Sequence, residues 1–175
     1  MSDKLASLRE GLPEPAKDLK VNLQSVLADS TLGPEQRWGV AVACGLAVRS
    51  PALGQALLDE AREHVGAAVI DDARAAATLM AMNNVYYRFK HMVGKDEYHA
   101  IPARLRMTRI ARPATSRTDF ELMCLAVSAI GGCERCIQAH EKTVRESGVT
   151  AEQVNDAIRI AATVMGVAVG LELGT

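Results

Sequence analysis

The segment Ala76-Ala77-Thr78-Leu79-Met80-Ala81-Met82 recurs as Ala161-Ala162-Thr163-Val164-Met165-Gly166-Val167. Runs rich in alanine and methionine and free of aromatic residues favour helix over sheet. Their recurrence points to one helical unit used twice. The stretches ahead of them also line up, Trp38 to Val48 with Phe120 to Ile130, then Pro51 with Cys133 and Gly54 with Cys136. Leu58 falls on His140 and Gly39 on Glu121, and the first copy is three residues shorter between Gly54 and Ala76. The expected fold is all-α, a single domain over 1–175 with two pseudo-symmetric helical halves at about 34–94 and 118–172. The polar groups of the second copy have no counterpart in the first, which marks them for chemistry.

Glycine and proline set the expected boundaries. Residues 1–13 read as a weakly specified lead-in, followed by a helix from Pro15 to about Ala28. Gly33-Pro34 and Ser50-Pro51 each restart a helix, because proline in a first turn lacks only an N–H that has no helical partner. These helices run to about Arg49 and Val65. Asp71 and Asp72 are expected to open a long helix that Gly94 closes after His91. Residues 95–115 are the least regular and carry Arg104, Arg106, Arg109 and Arg112, either a solvated connection or a contact surface for an acidic partner or neighbouring subunit. Thr118-x-x-Glu121 and Thr150-x-x-Gln153 are capping-box patterns for helices over 119–130 and from 150 to about Leu171.

Composition narrows the function. The net charge of −1 offers no nucleic-acid surface. No run of 18 or more uncharged apolar residues suggests a membrane span. Met1 to Glu10 is too polar for a signal peptide. A cytoplasmic location is the expectation, and there four cysteines do not make a disulfide scaffold. Cys44 and Cys124 sit in apolar runs and read as packed, inert thiols.

The chemistry concentrates in Gly131-Gly132-Cys133-Glu134-Arg135-Cys136-Ile137-Gln138-Ala139-His140. On a helix starting near Cys133, the spacings of three and four place Cys133, Cys136 and His140 on one stripe. The start of a helix favours a thiolate, and an imidazole one turn away can accept a thiol proton. A redox dithiol is the leading reading. A zinc site would need a fourth ligand from Glu121, His64, His91 or His99, and none stands at a regular spacing; no metal is expected. Glu121 is explained equally well by its capping box. Glu134 and Arg135 are most simply solvated, although Arg135 would help to hold a thiolate or attract an anionic substrate. Helix-terminus logic makes Cys133 the more acidic thiol, whereas the i+4 position of His140 favours Cys136, because a specific base one turn away outweighs a dipole felt by both residues.

The sequence resembles the AhpD family within the carboxymuconolactone-decarboxylase-like superfamily. The resemblance rests on Phe120-Glu121-Leu122, Ala126 to Ile130, Gly132-Cys133-x-x-Cys136, Ala139-His140-Glu141, Met82-Asn83-Asn84-Val85-Tyr86-Tyr87-Arg88, Leu105-Arg106-Met107 and Leu12-Pro13-Glu14-x-Ala16-Lys17-Asp18. It implies an antioxidant alkyl hydroperoxide reductase, assembled as a homotrimer, that also reduces the oxidised AhpC peroxiredoxin. Its implied electron donor is the dihydrolipoyl group of a lipoylated succinyltransferase, with dihydrolipoamide dehydrogenase upstream, and no bound cofactor. It further implies that Cys136 becomes a sulfenic acid and Cys133 is the resolving thiol and proton donor, the two closing a disulfide. Glu121 and His140 would relay the proton. Some members have a histidine where this chain has Arg135. A lactone decarboxylase or isomerase is the alternative from related branches, which lack the paired cysteines. A disulfide-carrying adaptor with negligible peroxidase activity is the non-enzymatic alternative.

Overall fold

The structure is a computed structural model that describes residues 3–173; Met1, Ser2, Gly174 and Thr175 lie outside the described residues. Among these the regular structure is helical: α1 Asp3–Glu10, α2 Lys17–Ala28, α3 Pro34–Ala47, α4 Pro51–Ala61, α5 Ala67–Val93, α6 Asp96–Ala100, α7 Thr108–Ala111, α8 Arg117–Gly131, α9 Glu134–Glu146 and α10 Ala151–Glu172. The all-α expectation holds. The lead-in is itself helical from Asp3, because Leu5 plugs the core and Lys4 Nζ reaches Asp59 Oδ2 at 2.7 Å.

α3 and α8 form the centre. Gly39 to Gly45 and Phe120 to Ser128 are buried without interruption, as expected for helices apolar on all sides. α5 packs on both, and α10 packs on α2, α3 and α8. Gly39 allows α3 and α8 to approach closely, since a Cβ there would meet Met123 Cε at 2.2 Å. α4 lies on α3 as α9 lies on α8. Among the described residues one helix, α10, is long and apolar enough to cross a membrane; half of that stretch is buried inside this molecule.

Two expected helix starts are displaced. α5 begins at Ala67 after Gly66, not at Asp71. Asp72 serves a tertiary purpose: fully buried, it accepts from the Ala114 and Thr115 N–H groups, the Thr115 hydroxyl and Arg109 Nε at 2.7–3.0 Å. α8 begins after Ser116, whose Oγ accepts from the Asp119 N–H at 3.0 Å. The Thr118–Glu121 capping box therefore does not form, whereas the Thr150–Gln153 box does. Ser50 precedes Pro51 as expected, with no side-chain cap hydrogen bond.

Asp156 on α10 also holds a loop, although the recurring segments align it with Asp71 rather than Asp72. Asp156 accepts from the Thr31 N–H and hydroxyl, just before α3, at 2.7 and 2.9 Å. Each of the two long helices thus holds the loop that enters the other half's first helix.

Candidate active site

The junction of α8 and α9 builds the site. α8 ends in a Schellman turn: the Gly132 N–H donates to Ala129 O and the Cys133 N–H to Ser128 O. Gly132 takes the left-handed φ of 62° that this turn requires. The next residue, Cys133, is already the N-cap of α9, and its Sγ accepts from the Cys136 N–H at 3.4 Å. Gly131 is needed for a different reason: a Cβ there would lie 2.3 Å from Asn84 Nδ2.

Cys133 and Cys136 form a disulfide. Both cysteines are buried. Cys133 is 0% exposed because the Schellman turn tucks it inward, and Cys136 is 6% exposed. Cys136 borders a cavity of about 190 Å³ with Arg135, Ala139, His140, Asn83, Tyr87, Met107 and Ile110. A larger open groove of about 890 Å³ lies between α1, α4 and the end of α10 and contains no cysteine or histidine.

Glu121 from α8 meets His140 from α9, Oε2 to Nδ1 at 2.6 Å, and both side chains are largely buried. Arg117 Nε stands 3.8 Å from the other carboxylate oxygen. A buried carboxylate held on Nδ1 orients the ring and places its proton there, leaving Nε2 for proton exchange. Glu121 is thus a partner of the imidazole rather than a helix cap.

Arg135 and Glu134 are exposed but engaged. The Arg135 guanidinium lies 5.9 Å from the Tyr87 ring centroid and its Nη1 donates to His99 Nδ1 at 3.3 Å. Glu134 Oε2 lies 3.1 Å from His91 Nε2. Of the histidines weighed as zinc ligands, these two sit beside the cysteine-bearing turn, and His64 stacks on Trp38. Among the described residues no three His, Cys, Asp or Glu side chains converge to hold a metal.

Sequence reasoning did not assign the face of α5 that supports this turn. Ser128 Oγ donates to Asn84 Oδ1 at 3.1 Å, and Arg88 Nη1 donates to Gly131 O at 2.5 Å. Asn83 and Tyr87 reach the cavity itself. The signal was present: two adjacent asparagines, poor helix formers, inside a long helix. Met107 and Ile110 come from the basic segment, whose Arg109 pairs within the chain with Asp71 and Asp72.

Residues 96–171 match the carboxymuconolactone decarboxylase family. Over 169 residues the chain is 58% identical to a protein named alkyl hydroperoxide reductase AhpD from Anaeromyxobacter dehalogenans, covering 97% of this chain and 91% of that one. It is 48% identical to proteins of the same name from Bradyrhizobium sp., over 96% of this chain and 93% of the relative, and from Brucella suis, over 94% of each. The chain belongs to the AhpD family. The match to the Anaeromyxobacter dehalogenans protein covers 97% of this chain, so it includes both the cysteine-bearing turn and the α5 face beneath it.

Proposed function

We propose that this chain is a thiol peroxidase that reduces alkyl hydroperoxides through Cys133 and Cys136. The supporting observation is that a disulfide, an apolar-walled cavity and a carboxylate-oriented imidazole converge on Cys136. His140 takes the Cys136 thiol proton. The thiolate attacks the terminal oxygen of ROOH, the O–O bond breaks, and a sulfenic acid and ROH form, the proton for the alkoxide returning from His140. The Cys133 thiol then attacks Cys136 Sγ, closing the disulfide and releasing water. The cavity reaches Cys136 and not Cys133, so an incoming dihydrolipoyl thiolate meets Cys136 first. Exchange through that mixed disulfide frees Cys133 and yields the dithiol and an oxidised lipoyl group.

The same dithiol would reduce the disulfide of an oxidised AhpC peroxiredoxin. The proposed setting is a cytoplasmic homotrimer, supplied by a lipoylated succinyltransferase and dihydrolipoamide dehydrogenase. The test is intact-mass analysis and peptide mapping of reduced protein before and after one equivalent of alkyl hydroperoxide. Loss of two hydrogens from a peptide containing both Cys133 and Cys136 is expected. An unchanged mass, or oxidation at Cys44 or Cys124, removes the peroxidase reading. Turnover with NADH, dihydrolipoamide dehydrogenase and the lipoylated protein, with and without AhpC, then weighs direct peroxide reduction against the adaptor role.

A further inference from the structure

Asn83 lies in the middle of α5, one turn before Tyr87, and borders the cavity shared by Cys136 and His140. It is 4% exposed, and its Oδ1 accepts no hydrogen bond. Its neighbour Asn84 is fully committed by contrast, accepting from Ser128 and donating to Val127 O at 3.4 Å. Buried acceptors are almost always paired, so an unpartnered acceptor on a residue that lines this cavity is a candidate partner for a donor that binds there.

This state is the disulfide, and neither of its sulfurs carries a hydrogen. Peroxide chemistry brings one in. The terminal oxygen of ROOH carries the molecule's one O–H, and that oxygen becomes the hydroxyl of the Cys136 sulfenic acid. A single acceptor can therefore hold the same O–H before and after oxygen transfer. When Cys133 displaces that oxygen as water, the acceptor gives up the sulfenic acid hydroxyl. The remaining walls agree: Met107, Ile110 and Ala139 offer apolar surface to the alkyl group, and His140 supplies the proton exchange at the other oxygen.

We propose that Asn83 Oδ1 is a substrate-binding acceptor that holds the hydroperoxide O–H, directing the terminal oxygen at Cys136 Sγ, and then holds the sulfenic acid until Cys133 resolves it. This assignment rests on the peroxidase reading above.

The test compares two oxidants of the reduced dithiol in single-turnover stopped flow. One is tert-butyl hydroperoxide, which has an O–H. The other is an aryl disulfide, 5,5′-dithiobis(2-nitrobenzoate), which has none near its S–S bond. Asn83→Leu keeps the side chain's approximate size and removes the acceptor. It is expected to oxidise about tenfold more slowly with the hydroperoxide, the scale of one hydrogen bond, and at the wild-type rate with the disulfide. Asn83→Ser, which retains an oxygen, is expected to lose less than Asn83→Leu. Equal losses with both oxidants would show a purely structural role and overturn the proposal, as would no loss with either. If Asn83→Leu does not fold, Asn83→Ala is judged by the same two rates. A wild-type protein that reacts with the disulfide and not with the hydroperoxide removes the peroxidase reading itself, and Asn83's role falls with it. A wild-type protein that reacts with both, beside an unaffected variant, removes the Asn83 assignment alone.

Discussion

Cys44 and Cys124 are sealed inside α3 and α8, and burial pushes both thiols well above the ordinary range. At Cys124 the negative charges of Glu121 and Asp72 add to the effect of burial. A thiol that cannot ionise does not react. Iodoacetamide at pH 8 is therefore expected to modify Cys136, which borders the cavity, in the reduced native protein and to spare Cys44 and Cys124 until denaturant is added. Peptide mass mapping checks this, and labelling of Cys44 at the rate of Cys136 would contradict it. The same assay reads the imidazole. His140→Phe removes the base and is expected to slow hydroperoxide turnover by about a hundredfold or more, the usual scale of general base catalysis, and to move Cys136 alkylation to higher pH. Glu121→Gln keeps the shape and loses the charge on Nδ1, so it is expected to do the same to a smaller extent. Because the two residues form one hydrogen-bonded unit, the double variant should be little worse than His140→Phe alone. Fully additive losses would show that Glu121 acts independently of the ring.

At the scale of single elements, two tertiary hydrogen-bond clusters decided what local sequence could not. Burial by itself pushes the Asp72 carboxyl up, but the Ala114 N–H, the Thr115 hydroxyl and N–H, and Arg109 outweigh it and hold it below the usual carboxylate range. Asp156 is likewise lowered, against the effect of burial, by Thr31 and Arg159. A carboxyl whose folded pKa lies below its unfolded value contributes stability that is complete above about pH 4 and is lost as pH falls through the folded pKa. Asp72→Asn is expected to be about 1–3 kcal/mol less stable than wild type at pH 7, the cost of disrupting a buried hydrogen-bonded charge. Its urea midpoint should then fall less than that of wild type between pH 7 and pH 3, and parallel curves would remove Asp72 as a contributor to acid lability. This explains why the start of α5 was misread. An Asp-Asp pair after glycine looks like an N-terminus, and only packing against the 114–115 loop reveals its other use. The start of α8 failed for a similar reason, since Thr118 and Glu121 stand at capping spacing while Ser116 takes the cap and His140 takes the glutamate. Starts governed by local backbone chemistry, at Pro34, Pro51 and Thr150, were legible from sequence.

For the whole molecule, what sequence left out is mostly what other segments bring to the cysteines. The Cys133–Cys136–His140 stripe follows from helical spacing. Met107 and Ile110 arrive through chain reversals that no spacing rule encodes. α5 also carries Val85, Phe89 and Met92, at i, i+4 and i+7, exposed by 62%, 50% and 76%. Large aliphatic and aromatic groups in one helical stripe are unusual on a surface left in water. The stripe is rotated by one residue from the Asn84, Arg88 and His91 face that supports the cysteine-bearing turn, so it borders the site without belonging to it. Ile101 is exposed nearby in sequence to Tyr98, whose ring packs edge-on against Phe89. This stripe is a candidate surface for the proposed homotrimer. Met92→Lys places a charge on it and is expected to lower the mass measured by light scattering at micromolar concentration from about three chains towards the 18.7 kDa of one. Because Cys133, Cys136, His140 and Glu121 all come from the same chain, one equivalent of hydroperoxide should still close the disulfide in the dissociated variant. A trimer that persists in Met92→Lys and in Phe89→Asp would move the interface elsewhere. A dissociated variant that no longer forms the disulfide would mean that the neighbouring subunit shapes the cavity at Cys136.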